Sequence, residues 1–306
     1  MPPTTHYLKP EQKHYRFSHQ IPNVMKVPSG SVISASLEEA SDNRIYPRMT
    51  SQAFGSIDWS DFGHPLAGPI YIDGAQPGDV LAVKLHKMTL KDWGWSASTP
   101  LFSYLKEGVG QTQLKTYAFD QQKSIAYFDK NIKIPLSPFP GIIAVAPDTD
   151  EMLSTIPPRE NGGNLDDPNI TEGTTVYLPV LVEGALFSIG DPHAAQGHGE
   201  VSGTAIEAPM DIIFEVSIIK NQKTYLKEVQ YETKEHYAVT AFALTLDEAA
   251  KKATRFMISY LESEYKMSPQ DANILCSIAA DLKIAEVVDG NVLVAMHIPK
   301  RILSQL

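Results

Sequence analysis

The stretch TTVYLPVLVEGALFSIG, Thr174 to Gly190, decides the fold. It is rich in β-branched and aromatic residues and alternates in part with period two, which is a strand pattern rather than a helical one. The polar segment DPHAAQGHGE, Asp191 to Glu200, follows at once. VSGTAIEAPMDIIFEVSII then resumes the strand pattern, and VLAVKL at Val80–Leu85 shows it upstream. Turn residues separate the runs: VPSGS near Pro28, GAQPGD at Gly74–Asp79, SPFPG at Ser137–Gly141 and ENGGN at Glu160–Asn164. Many short strands with such turns predict a mainly β fold, a β-sandwich or barrel.

The last third reads differently. TLDEAAKKATRFMISYLESEY has apolar residues at three- and four-residue steps, with Thr245 and Glu248 in capping-box spacing. SPQDANILCSIAADL predicts a second helix, with Ser268 as N-cap and Pro269 in its first turn. IAEVVDGNVLVAMHIP predicts a hairpin turned by Asp289-Gly290-Asn291. The expected division is a β-rich domain over 1–225, carrying the site loops, and an α+β domain over 226–306.

Of the 306 residues 43% are hydrophobic and 20% charged, a globular balance with ample material for a core. The net charge of −10 argues against nucleic acid or an anionic membrane as partner. One cysteine, Cys276, excludes an intrachain disulfide and a cysteine-based zinc cluster. The opening residues lack the apolar core of a signal peptide, and no stretch approaches a membrane span, so a cytoplasmic location is expected. No G-x-S-x-G elbow, H-E-x-x-H helix or Walker loop is present.

The densest chemistry lies in Asp191–Glu200. Read as a loop between strands, it places Asp191 and His193 two residues apart, a spacing that brings carboxylate and imidazole to one zinc-class ion if the chain is extended. The same residues also suit a solvated turn. Pro157–Asp167, PPRENGGNLDD, sets Asn161, Asn164, Asp166 and Asp167 around a double glycine. It reads either as a ligand-holding loop or as a set of Asx turns. SLEEASDNRI offers Glu38, Glu39 and Asp42, and His64 precedes Pro65.

YLPVLVEGALFSIGDPHAAQGHGEVSGTAIE, preceded in order by HPLAGPIYIDGAQPGDVLAV, GIIAVAP and PRENGGNLD, resembles the acetamidase/formamidase family, whose pattern is a strand, then G-D-x-H-A-x-Q-G-x-G-E, then G-T-A-I-E. The resemblance runs from about Ile21 to Ile302. It implies a jelly-roll-like β portion with an α+β C-terminal part, and hydrolysis of a small aliphatic amide to carboxylate and ammonia. It also implies a homodimer or higher homo-oligomer, a catalytic divalent metal, zinc, and a second, structural calcium. The matching polar positions are Asn164, Asp166, Asp191, His193, Gln196, Glu200 and Glu207. Three positions depart: His198 and Glu39 stand where the family has Asp, and Ser202 where it has Cys.

On this reading Asp191 and His193 ligate metal, with Glu39 and Glu207 as further ligands. Glu200 is the general base, with Asp166 as the second catalytic carboxylate. Asn164, Gln196 and His198 contact substrate. Glu200 and Glu207 are an odd number apart, so a regular strand would point them to opposite faces. A competing reading, kept open by His198 and Ser202, is a metal- or small-ligand-binding relative without catalysis.

Overall fold

The computed structural model describes residues 4–220 and 226–306. The expected domain boundary at 225 falls on 221–225, outside the described residues. Two large sheets form the molecule. The first has nine strands in the order His6–Leu8, Ser31–Leu37, Met210–Ile219, Val80–Leu90, Thr175–Pro179, Gln230–Glu232, His236–Ala243, Asn291–Pro299 and Asp281–Asp289. The second is built around Phe187–Ala195. No sheet closes on itself among the described residues, so the architecture is sandwich-like and not a barrel.

Alternation explains the packing. Val80–Leu90 buries every second side chain along much of its length and pairs with Met210–Ile219 from Val80↔Ile219 to Leu90↔Met210. The inward side chains Leu81, Val83, Val176, Phe214 and Val216 share one core with Ile70, Ile143, Phe187 and Ile189 of the second sheet. Phe187 and Phe214 meet across the layers at 5.5 Å between ring centroids.

The stretch Thr174–Gly190 is not one strand. Thr175–Pro179 belongs to the first sheet, and Phe187 begins a strand of the second. The chain crosses between layers at Gly184, Ala185 and Leu186, with φ of 76°, 58° and 52°. Residues on both sides of the crossing are buried, so the hydrophobic pattern does not mark it. Two expected turns are also strands: Phe139–Ala144 takes up most of SPFPG, and Gly162–Asn164 pairs with Ile142–Ala144.

Both C-terminal helices form, at Leu246–Tyr265 and Pro269–Ala279. The Thr245 hydroxyl accepts from the Glu248 N–H at 3.3 Å, and Ser268 caps Asp271 at 3.1 Å. Four-residue helices at Ser51–Phe54 and Lys300–Leu303 have no counterpart in the reading above. The helices pack on the first sheet through Ala253, Met257, Leu261 and Cys276, with Tyr260 stacked on Tyr237 at 3.9 Å. Cys276 is a core residue, and burial raises its thiol to about 11. The C-terminal strands continue the first sheet, because Gln230–Glu232 pairs with Thr175–Tyr177. No helix among the described residues is long and apolar enough to cross a membrane.

Candidate active site

The central strand Phe187–Ala195 sets the geometry. One edge pairs with Phe139–Ala144 and the other with Leu66–Ile72 and then Ile206–Glu207. His193 therefore lies between Phe139 and Glu207. Asp191 and His193 are strand residues, not loop residues as expected. Their side chains converge, with His193 Nε2 3.3 Å from Asp191 Oδ2 and 3.1 Å from Glu207 Oε2.

Glu200 and Glu207 reach the same place because the chain between them is not a regular strand. Glu200 has φ of 45°, and Gly203 N–H closes a turn onto Glu200 C=O at 2.8 Å. The pairing also shifts register between His193 and Ala195. The odd spacing is thus resolved by a turn and a bulge.

Asp166 arrives from the loop after Gly162–Asn164. The N–H groups of Leu165 and Asp166 both bond the Gly141 carbonyl, at 2.9 and 3.2 Å. Gly141 also makes the room. A methyl carbon there would lie 2.5 Å from Asp166 Oδ1, 2.7 Å from Asp191 Oδ2 and 2.9 Å from His193 Cε1. Asp166, Asp191 and Glu200 all hold left-handed backbone, with φ of 43°, 54° and 45°. Such strain concentrates at functional sites.

Three overlapping sets of donor atoms result: Asp166, Asp191 and His193; His193, Glu200 and Glu207; and Asp166, Glu200 and Asp289. Among the described residues, both Asp166 oxygens, Asp191 Oδ1 and Asn164 Oδ1 are buried without a hydrogen bond, and Glu207 Oε2 faces the His193 ring. Unpaired buried acceptors are costly. So many together, with one imidazole, fit a cation as their missing partner, and the cluster can hold a metal ion.

The electrostatics agree. Burial, with Glu200 next, holds the Asp166 carboxyl well above its usual range. Burial raises Glu207 and Asp289 to about 7 each. Burial also raises Glu200 well above the usual range, against the pull of His193. Asp191 behaves otherwise: burial would raise it, but His193 and His64 outweigh that and hold it near 2. Gln196 orients the imidazole. Its Oε1 accepts from His193 Nδ1 at 3.0 Å and its Nε2 donates to the Asp166 carbonyl at 2.6 Å. His193 Nε2 is thereby left facing the carboxylates.

The cluster floors a cavity of about 560 Å³. Asn164, Asp166, Asp191, His193, Glu200 and Glu207 all line it, as does His64, whose imidazole burial lowers toward the neutral form.

These features match what is known of one group of proteins. The profile of the Acetamidase/Formamidase family matches residues 4–154 and 149–305. The chain belongs to this family. The crystal structure of an acetamidase from Bacillus halodurans superposes with a TM-score of 0.92 at 27% identity, covering 98% of this chain and 99% of that one. An acetamidase structure from Yersinia enterocolitica gives 0.89 at 27% identity over 99% and 94%. A putative formamidase of Schizosaccharomyces pombe is 28% identical over 264 residues; the match covers 68% of this chain and 64% of that protein's length.

Three expected site residues lie elsewhere. Glu39 joins none of the donor sets among the described residues. Its carboxylate is taken up by Ser41 N and Oγ, Asn43 N and Trp95 Nε1, at 2.6–2.9 Å, and so anchors Trp95. His198 is exposed; its Nδ1 bonds the Ile284 carbonyl at 3.1 Å, and it lines a different cavity. Gln196 steadies His193 and is absent from the lining of the acidic cavity. From the Pro157–Asp167 cluster, Asn161 bonds the Val145 carbonyl and Asp167 accepts from Tyr231.

Asp289 is the residue that sequence reasoning missed. Read as a turn former, it ends the strand Asp281–Asp289 and accepts from Asn164 Nδ2 at 2.6 Å inside the site. Glu286 steadies it: its fully buried carboxylate accepts from the Val288 and Asp289 N–H groups, and burial raises it to about 9. A glutamate within the apolar run IAEVV was the available signal.

Gly141→Ala is expected to leave the β fold intact by circular dichroism. With a zinc-class ion held as proposed below, it should weaken the affinity for added zinc by about 10–100-fold, the usual cost of disturbing groups that orient metal ligands. Unchanged affinity in a zinc titration would show that the carboxylates do not depend on this gap.

Proposed function

We propose that the protein is a metal-dependent amidohydrolase that cleaves the C–N bond of a small amide, giving a carboxylate and ammonia. The carrying observation is the acceptor-rich, largely buried cluster on the floor of a substrate-sized cavity, in a chain of this family. Asp191, His193 and Glu207, with Asp166, would hold a divalent ion of the zinc class; Asp166, Glu200 and Asp289 offer an all-oxygen set suited to calcium. A bound zinc-class ion supplies Lewis acidity, which eases loss of a proton from water to about pH 7 and polarises a carbonyl.

The chain's own groups do the rest. Glu200 takes the proton of the attacking water and delivers it to the departing nitrogen. Gln196 keeps the His193 ring fixed, and Asn164 Oδ1, buried and unpaired, can accept from the amide N–H.

The test is ammonia release from formamide and acetamide, with and without chelator. Chelator-sensitive release is expected. Release that survives complete metal removal would sink metal dependence, and no release from any amide would sink the activity. The non-catalytic reading loses its motive, since His198 lies outside the acidic cavity and Ser202 Oγ bonds the Thr204 carbonyl. A homo-oligomer would cover the exposed Ile274, Ile278, Leu282 and Ile284 on the second helix and the strand after it, and sedimentation equilibrium reads its size.

A further inference from the structure

The cavity is larger and more apolar than acetamide requires. Acetamide has four heavy atoms and fills about as much space as three or four waters at roughly 30 Å³ each. The cavity measures about 560 Å³, within the range of about 300–1,000 Å³ that encloses ligands of drug size. Above the acidic floor its walls are Ile57, Trp59, Phe62, Leu101, Phe102 and Ile156.

This wall is built, not incidental. Trp59 meets Phe62 at 5.4 Å and Phe102 at 5.6 Å, both edge to face. The Arg44 guanidinium packs over Trp59 at 4.5 Å, with Nε bonded to the Ser41 carbonyl, and so holds the indole in place. The wall is also tied to the reacting carboxylate. Tyr104 N–H bonds the Val201 carbonyl at 3.1 Å, next to Glu200, and a methyl carbon at Gly203 would lie 2.5 Å from the Phe102 carbonyl. No lysine or arginine lines the cavity among the described residues, whereas Asp58 does, so an anionic substituent is disfavoured.

We propose that the preferred substrate is a primary amide whose acyl group carries a bulky, uncharged aromatic substituent, seated against the wall of Trp59, Phe62 and Phe102. This rests on the amidase reading above, whose release of ammonia places the substituent on the acyl carbon. The reaction is R–CO–NH2 + H2O → R–COO⁻ + NH4⁺: a C–O bond forms, the C–N bond breaks, and the protons of water end on nitrogen. Ring-on-ring contact is what distinguishes an aryl from an alkyl group of equal size here.

The experiment compares kcat/KM of the metal-loaded enzyme for acetamide, hexanamide, phenylacetamide and malonamate. Phenylacetamide is expected to exceed acetamide by about 10²-fold or more, since each buried methylene alone carries about 10–200-fold. Malonamate should be the poorest substrate, and Phe102→Ala should narrow the phenylacetamide-to-acetamide ratio at least about tenfold. Equal rates for phenylacetamide and acetamide, or a preference for hexanamide, would overturn the proposal.

Binding to the Glu200→Gln protein, read by tryptophan fluorescence, separates this from the activity itself. If nothing is hydrolysed but phenylacetamide binds more tightly than acetamide, the amidase reading falls and the aromatic seat stands. If phenylacetamide binds no more tightly, the seat falls whatever the turnover.

Discussion

Replacing Asp191 and His193 together by alanine is expected to remove the proposed zinc-class ion and to lower amide hydrolysis by about 10³-fold, because several kcal/mol of charge stabilisation is lost. The two residues have the same cause for being where they are. They lie on one strand and converge on Glu207 from the neighbouring strand. His193 belongs to two of the three donor sets, so its loss leaves only the all-oxygen set complete. Elemental analysis of purified wild-type and double-variant protein decides the matter. Equal metal content would remove both residues as ligands and move the ion to Asp166, Glu200 and Asp289. The sheet core should survive, since Ile142 and Ile189 keep their packing and only Phe139 loses a neighbour, the His193 ring at 5.1 Å.

Glu200→Gln is expected to lower kcat by about 10²–10⁴-fold, the usual contribution of a positioned proton carrier. Glutamine keeps the shape and most of the packing, so metal content and thermal midpoint should stay near wild type. This separates proton transfer from ligation. Glu200 is common to two donor sets, and a variant that loses both metal and rate would make it a ligand first. An unchanged kcat would pass the proton role to Asp166, whose two oxygens are buried and unpaired.

Neither prediction depends on the three departures from the family pattern. Glu39 is bonded to four donors around Trp95, His198 holds the Ile284 carbonyl, and Ser202 closes on Thr204. Each is next to the site in sequence or space without entering the donor cluster. The Gly199 N–H and C=O bond Ala285 and Val287, so the C-terminal hairpin clips down the segment that carries Glu200. That hairpin also delivers Asp289, which explains why a C-terminal strand contributes to a site otherwise made by the second sheet.

Alternating apolar residues in Val80–Leu90 and Met210–Ile219, and the three- and four-residue steps of Leu246–Tyr265, determine their own elements, because such periodicities act between near neighbours. The D-x-H pair is legible because its two residues are near neighbours in the chain, although Asp191 holds left-handed and not extended backbone. The sequence by itself therefore determined a mainly β protein with two C-terminal helices, and it named most of the acidic cluster. Only the tertiary structure decided that Thr174–Gly190 divides between two sheets, that a turn at Gly203 brings Glu200 and Glu207 to one side, and that Asp289 joins Asp166 across more than a hundred residues. It also decided that Gly141 must be a glycine. The reason is physical. Register, bulges and sheet crossings are set by which strands pair and by what fills the space between layers, and these are contacts between residues far apart in the chain, which no local spacing encodes.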